Sequence, residues 1–241
     1  MFYSILPNVF WIKPTFLRIA RFAPLIGLII GIFQSFIWLA LKQAGWSTEA
    51  SSLCLIGFGA WITGGLHLDG LMDTADGIAA GPEKLLTAMR DSRIGASGIQ
   101  ALLIIVLIQV STLIKLNSFS PIALIISASI SRISPIFAIN KFNYLHKEGL
   151  GLSHKKNWKG IKQEILPSLV CIVILILLGN IFVSDQLVKI KLLISIFAGL
   201  ISAISTAYFL GKRLGGHSGD SYGASVVISE TTMLLFLSFI L

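Results

Sequence analysis

The sequence predicts an all-α fold: a polytopic membrane helix bundle of about seven transmembrane helices with a short interfacial helix. Three observations carry this. Of the 241 residues, 55% are hydrophobic and only 12% charged, with a mean hydropathy of +0.86, against about 25% charged residues in a soluble domain. The apolar residues form runs long enough to cross a bilayer core of about 30 Å. The basic residues collect in alternate loops between those runs. Together these make residues 1–241 a single integral membrane domain with the lipid bilayer as its surroundings. The net charge of +8 follows from this topology and calls for no nucleic acid. Cys54 and Cys171 both sit inside apolar runs, without the spacing of a disulfide framework or a metal site.

Residues 1–21 are polar to mixed, with Lys13, Arg18 and Arg21. The first span runs from about Phe22 to Leu41, with Gly27 and Gly31 in a G-x-x-x-G spacing. That spacing permits close helix pairing within a subunit or in a homo-oligomer. The second span, about Ser51–Leu66, is expected to continue as one helix past His67. Gly81-Pro82-Glu83 reads as a fresh helix start. It opens a short amphipathic helix, Pro82–Arg93, at the membrane surface, with Leu85, Leu86 and Met89 on its apolar side.

A third span covers Ile99 to about Leu116, and a fourth covers about Pro121–Ile139 with Arg132 inside it. The most basic loop, 140–164, carries six lysines. The fifth and sixth spans are about Ile165–Val183 and Ile190–Leu210, and the seventh runs to Leu241 with Glu230 inside it. With the N-terminus in the cytoplasm, fourteen of the nineteen Lys and Arg residues fall in inner segments and four at outer ends. This bias sets the orientation. It puts 67–98, 140–164 and 212–223 on one side, as expected of one composite site between helix ends.

The chemistry concentrates between Gly64 and Gly98, which holds five of the eleven acids. Asp69, Asp73 and Asp76 follow at i, i+4, i+7, which places them on one face of a helix. Three such carboxylates repel one another unless a cation lies between them. An oxygen-only ligand set suits Mg²⁺ or Mn²⁺ rather than zinc. A lipid-facing position is excluded, because three aspartates at helix centres cost roughly 7–10 kcal/mol on insertion scales.

Two function classes fit. In one, a carboxylate-held metal and arginines (Arg90, Arg93, Arg132) grip a diphosphate for phosphoryl-type transfer. In the other, the acids line the cation path of an ion-coupled transporter. Asp91-Ser92-Arg93 and the lysine loop favour the enzyme, with Asp91 a candidate catalytic acid. His67 is a candidate base, ligand or supporting residue. Asp220 is a metal or substrate-hydroxyl ligand, or a turn residue. Arg132 binds phosphate or pairs with Glu230.

The motifs G-G-L-H-L-D-G-L-M-D-T-A-D-G (64–77) and M-R-D-S-R-I-G (89–95) resemble those of the cobalamin synthase family, the adenosylcobinamide-GDP ribazoletransferases. The likeness extends to R-F-A-P-L-I-G-L-I-I-G, Ser131-Arg132, G-L-G at 149–151 and G-G-H-S-G-D-S-Y-G-A at 215–224. The sequence departs from the family pattern in having only Glu230 near the C-terminus. It also has His146 and Lys147 after Tyr144, where an arginine is common.

The resemblance implies a Mg²⁺-dependent enzyme of the bacterial cytoplasmic (inner) membrane. Such an enzyme joins adenosylcobinamide-GDP to α-ribazole or its 5′-phosphate and releases GMP, late in cobalamin biosynthesis. It implies Asp69, Asp73 and Asp76 as metal ligands and His67, Asp73 and Asp91 as catalytic groups. Arg90, Arg93, Arg132, Asp220 and Glu230 would contact substrate. A CDP-alcohol phosphotransferase-like enzyme shares this logic, but D-G-L-M-D-T lacks that class's D-G-x-x-A-R pattern.

Overall fold

A computed structural model describes residues 18–241, and within them every regular element is helical. The earlier residues, Lys13 included, lie outside the described part. The helices are α1 (Ala23–Gln43), α2 (Thr48–Ile62), α3 (Leu66–Ala80), α4 (Leu85–Ala88), α5 (Ala96–Leu116) and α6 (Ser120–Ser131). They continue with α7 (Ser134–Lys141), α8 (Leu150–Lys156), α9 (Ile161–Glu164), α10 (Leu166–Phe182), α11 (Gln186–Leu214) and α12 (Gly219–Ile240).

Local chemistry sets the ends. Prolines stand in the first turns of α1, α6, α7 and α10, where a missing N–H costs nothing. Asp185 accepts the Leu187 and Val188 amides at the start of α11, and Ser218 and Ser221 cap α12 reciprocally.

Among the described residues, five helices can cross a membrane by length and composition, six when α2 and α3 count as one bent span. One of these, the run Ala96–Lys141, is two passes. α5 lies parallel to α12, since Gln109 donates to Thr231 at 2.8 Å and the Lys115 ammonium covers the Phe239 ring. α6 and α7 run antiparallel to α12, with Arg132 beside Glu230 and Ser134 beside Ser225. The chain therefore turns back at Asn117–Phe119, where Asn117 takes a left-handed φ of 46°. Counted in this way, the described residues make seven passes.

Two expectations about continuity are corrected. The second span does not continue straight past His67: α2 and α3 meet at 87°. Gly64 and Gly65 have φ of 63° and 69°. Their amides donate to the Trp61 and Ala60 carbonyls, the pattern of a Schellman stop that ends a helix in left-handed backbone. The Thr63 hydroxyl also donates to the Gly59 carbonyl at 2.9 Å. These bonds satisfy carbonyls that the end of α2 would otherwise leave unpaired. The fourth span is likewise broken after Arg132, because Pro135 has no amide for the Ser131 carbonyl. The Ser134 hydroxyl donates there instead, at 2.8 Å.

A third correction concerns the interfacial helix. Only Leu85–Ala88 is helical; 82–84 are turn, and Arg90 and Arg93 stand in non-helical chain. Leu85 and Met89 are buried, whereas Leu86 is exposed. The buried pair packs on Gly77, where any side chain would collide with Met89.

The G-x-x-x-G face is used within the subunit. A Cβ at Gly27 would strike the Ala128 backbone and Arg132, and one at Gly31 would strike the backbone of Leu124 and Ile125. The α1–α6 seam is thus a close backbone contact of the kind small residues permit in lipid, and this face is not free for pairing subunits.

Following the passes, the ends of α3, α7, α9 and α11 and the starts of α1, α5, α10 and α12 share one face. The polar segments 81–95, 142–165 and 215–218 all lie there. The expected gathering of three polar loops on one side is present.

Candidate active site

The acid-bearing helix α3 lies against α12 through small residues on both sides. A Cβ at Gly70 would hit the Asp220 backbone, and one at Gly223 would press on Leu66 and His67. This approach sets Asp220, the second residue of α12, beside the aspartates of α3. The charges that act on Asp73 come from Asp69, Asp220 and Asp76, all of one sign. Asp69 is exposed, and Asp73, Asp76 and Asp220 are half-buried. The Ser218 hydroxyl donates to the Asp220 carboxylate at 3.3 Å.

Asp76 has a further task. Its two carboxylate oxygens accept the amides of Gly95 and Gly98 at 2.7 and 2.8 Å. These are orphan donors at the start of α5, and a carboxylate there is favoured by both hydrogen bonding and the helix dipole. A side chain at either glycine would collide with that carboxylate, so G-A-S-G is the cradle that admits it. Asp76→Ala is expected to cost about 1–2 kcal/mol, the range for losing a helix cap. The check is hydrogen exchange, which should accelerate at Gly98 more than at Gln109; unchanged protection at Gly98 refutes the capping role.

The remaining predicted residues fall into separate groups. Asp91 and Arg93 bind each other: the guanidinium donates to both carboxylate oxygens, the shortest contact being 2.6 Å. The Arg93 side chain is 88% exposed. These bonds hold the Asp91 carboxyl down at about 2, so it is an anion at neutral pH. Arg90 instead reaches the 142–148 loop and donates to Nδ1 of His146 at 2.8 Å. Burial and then the Arg90 charge lower the His146 pKa, while Asp220 opposes them.

His67 is turned away from the aspartates. It is buried on the face of α3 that carries Leu71 and Thr74. It lines a small cavity of about 60 Å³, whose polar members include Gln34, Thr63, Gln109, Arg132 and Glu230. Arg132 and Glu230 form an ion pair at 3.6 Å, and Arg132 also donates to the Ala128 carbonyl at 2.5 Å. The structure thus pairs Arg132 with Glu230 in the bundle interior.

Residues that spacing did not single out close the site. Backbone bonds join the 142–148 and 215–218 loops: Leu145 N donates to His217 O at 2.8 Å, and His217 N to Asn143 O at 2.9 Å. His217 is fully buried, stacked on Tyr222 with ring centroids 5.3 Å apart. Its Nε2 faces the Ala207 carbonyl at 2.9 Å, so Nε2 bears the proton and Nδ1 accepts from the Ser221 hydroxyl. Burial pushes its pKa down to about 4, leaving a neutral structural ring.

Tyr144 packs beside His146 and Tyr222, and burial and then Asp220 raise its pKa. Its ring occupies the space that a side chain at Gly151 would need. That contact is the physical sense of the G-L-G motif. Nothing in local periodicity links residue 90 to 146 or 144 to 217; the glycines were the available signal.

A family model described as Cobalamin-5-phosphate synthase matches residues 1–238. The chain belongs to that family. It is 48% identical to an adenosylcobinamide-GDP ribazoletransferase of Prochlorococcus marinus (strain MIT 9313), over 100% of this chain and 94% of the relative. It is 49% identical to the protein of that name from strain MIT 9303 of the same species, over 100% and 94%. It is 33% identical to the one from Trichormus variabilis, over 99% and 94%. No solved structure matches.

The donor set on the loop face is all carboxylate oxygen, which fits a hard divalent cation. Among the described residues no three His, Cys, Asp or Glu side chains converge as a metal cluster. Mg²⁺ commonly takes one or two carboxylates and completes its shell with water and substrate phosphates, and the face formed by Asp69, Asp73 and Asp220 suits that mode.

Proposed function

We propose that this chain is an adenosylcobinamide-GDP ribazoletransferase, joining adenosylcobinamide-GDP to α-ribazole or its 5′-phosphate with release of GMP. The observation that carries the reading is family membership over almost the whole chain, combined with aspartates of α3 set against Asp220 of α12 on the loop face. In the reaction a ribose hydroxyl oxygen bonds to the cobinamide-side phosphorus. The bond from that phosphorus to the bridging oxygen breaks, and GMP departs with the electron pair.

Asp69 and Asp73, with Asp220 opposite, are the residues that would hold Mg²⁺. A cation held there would offset negative charge on the phosphate oxygens. Arg90, positioned by His146, faces the same loops and neutralises further phosphate charge. The hydroxyl proton passes to an aspartate of this face, since His67 points into the bundle. Asp91 and Arg93, paired at the rim, are placed to exchange partners when an anionic substrate arrives.

The test is incubation of the purified protein with adenosylcobinamide-GDP, α-ribazole and Mg²⁺, followed by measurement of GMP. Activity is expected with Mg²⁺ or Mn²⁺, lost in EDTA and restored without zinc. Full turnover in metal-free buffer refutes the metal role. Absence of GMP with every metal refutes the reaction.

The 14-to-4 distribution of basic residues supports a bacterial inner-membrane orientation with the loop face in the cytoplasm. A cysteine placed at Ser153 should resist an impermeant thiol reagent in intact cells and react after lysis. Efficient labelling from outside reverses the orientation.

A further inference from the structure

On the half of the bundle opposite the loop face, α10 stands apart from its neighbours. It leaves a cleft of about 450 Å³ between α1, α6, α10 and α11. That volume is in the range of a specific small-molecule site, about 300–1,000 Å³. Its walls are almost wholly apolar, including Phe36, Ile125, Leu175 and Leu193. Phe36 and Leu193 are among the large hydrophobic residues left exposed by the protein. Water has little to bond there, and the apolar lining at bilayer depth calls for a hydrocarbon occupant.

The rim is different in kind. Lys189, one turn into α11, and Asn180, at the end of α10, line the mouth. No hydrogen bond or ion pair ties the Lys189 ammonium to another described residue, whereas the neighbouring acid, Asp185, is engaged in capping α11. An unneutralised cation above an apolar slot is complementary to one kind of bilayer molecule. We infer that the cleft is a specific site for one anionic phospholipid, its acyl chain between α10 and the α1–α6 pair and its phosphate on Lys189 and Asn180. The site is independent of the reaction on the opposite face.

The test uses the full-length protein in detergent, with lipid retention read by native mass spectrometry after titration with phosphatidylglycerol or phosphatidylcholine. The wild type is expected to retain one phosphatidylglycerol in preference to phosphatidylcholine. Lys189→Gln should lower that preference about five-fold, the effect of one basic residue on an anionic lipid. Lys191→Gln, off the cleft, should leave it unchanged.

Gly179→Leu supplies a second test. A Cβ there meets only Leu192 Cδ1 at 3.9 Å, so the larger side chain fits, improves helix propensity and grows into the slot. It should abolish retention of either lipid while GMP release continues. Equal retention of both lipids by the wild type, or full retention by Gly179→Leu, overturns the site. So does a dimer whose second copy cross-links through position 179.

Discussion

Asp73→Asn is expected to leave insertion and folding intact while lowering kcat for GMP release by about 10²-fold or more, the loss typical of one electrostatic stabiliser. Asp73 is the middle carboxylate of α3, and the charges of Asp69, Asp220 and Asp76 all bear on it. Asp76 is engaged by the α5 amides, so the position that joins the α3 acids to Asp220 is Asp73. The asparagine keeps the size but replaces one acceptor oxygen with a donor and removes the charge.

Asp185→Asn is the control. Asp185 caps α11 at the opposite end of the bundle, and asparagine caps a helix as well as aspartate does. The measurement is GMP release at saturating Mg²⁺ for both variants. Equal, near-normal rates would show that this face takes no part in the chemistry.

The second large effect is on stability. Arg132→Met leaves Glu230 without its partner in the bundle interior. Breaking a buried pair from one side costs about 3–5 kcal/mol, whereas replacing both partners by apolar groups is often neutral. Arg132→Met should therefore unfold at distinctly lower temperature in detergent, and Arg132→Met/Glu230→Leu should regain most of the loss. If the double variant is as unstable as the single one, the pair is not what holds this region. If it regains stability but releases no GMP, the Arg132–Glu230 pair serves the reaction as well as the fold.

Much of the architecture was legible because hydropathy is a one-dimensional signal. Each apolar run became a pass, and the alternation of basic loops anticipated the shared loop face. The breaks were harder. Gly64-Gly65 is a strong stop signal, yet in lipid glycine is also common inside helices. The decisive bonds, from their amides to Ala60 and Trp61, exist only once α2 has formed.

The i, i+4, i+7 spacing correctly set Asp69, Asp73 and Asp76 on one helix, but spacing carries no information about their partners. The amides that hold Asp76 come from residues 19 and 22 positions later. His67 shares the motif with the aspartates yet lies on another face of the same helix, where α12 and α6 bring Glu230 and Arg132 to it. The Arg90–His146 and Asn143–His217 contacts depend on how three loops meet, which no local pattern records.

The seam between α3 and α12 has a consequence for biogenesis. Gly70 and Asp220, which touch across it, lie 150 residues apart in the chain. As the protein emerges from the ribosome, the aspartates of α3 enter the bilayer region long before their counterpart on α12 is made. Closure over such a separation in sequence comes late in folding. A chain that stalls before α12 therefore carries the α3 carboxylates without Asp220 beside them. Helix α12, made long after α3, is the one that brings Asp220 to the α3 aspartates.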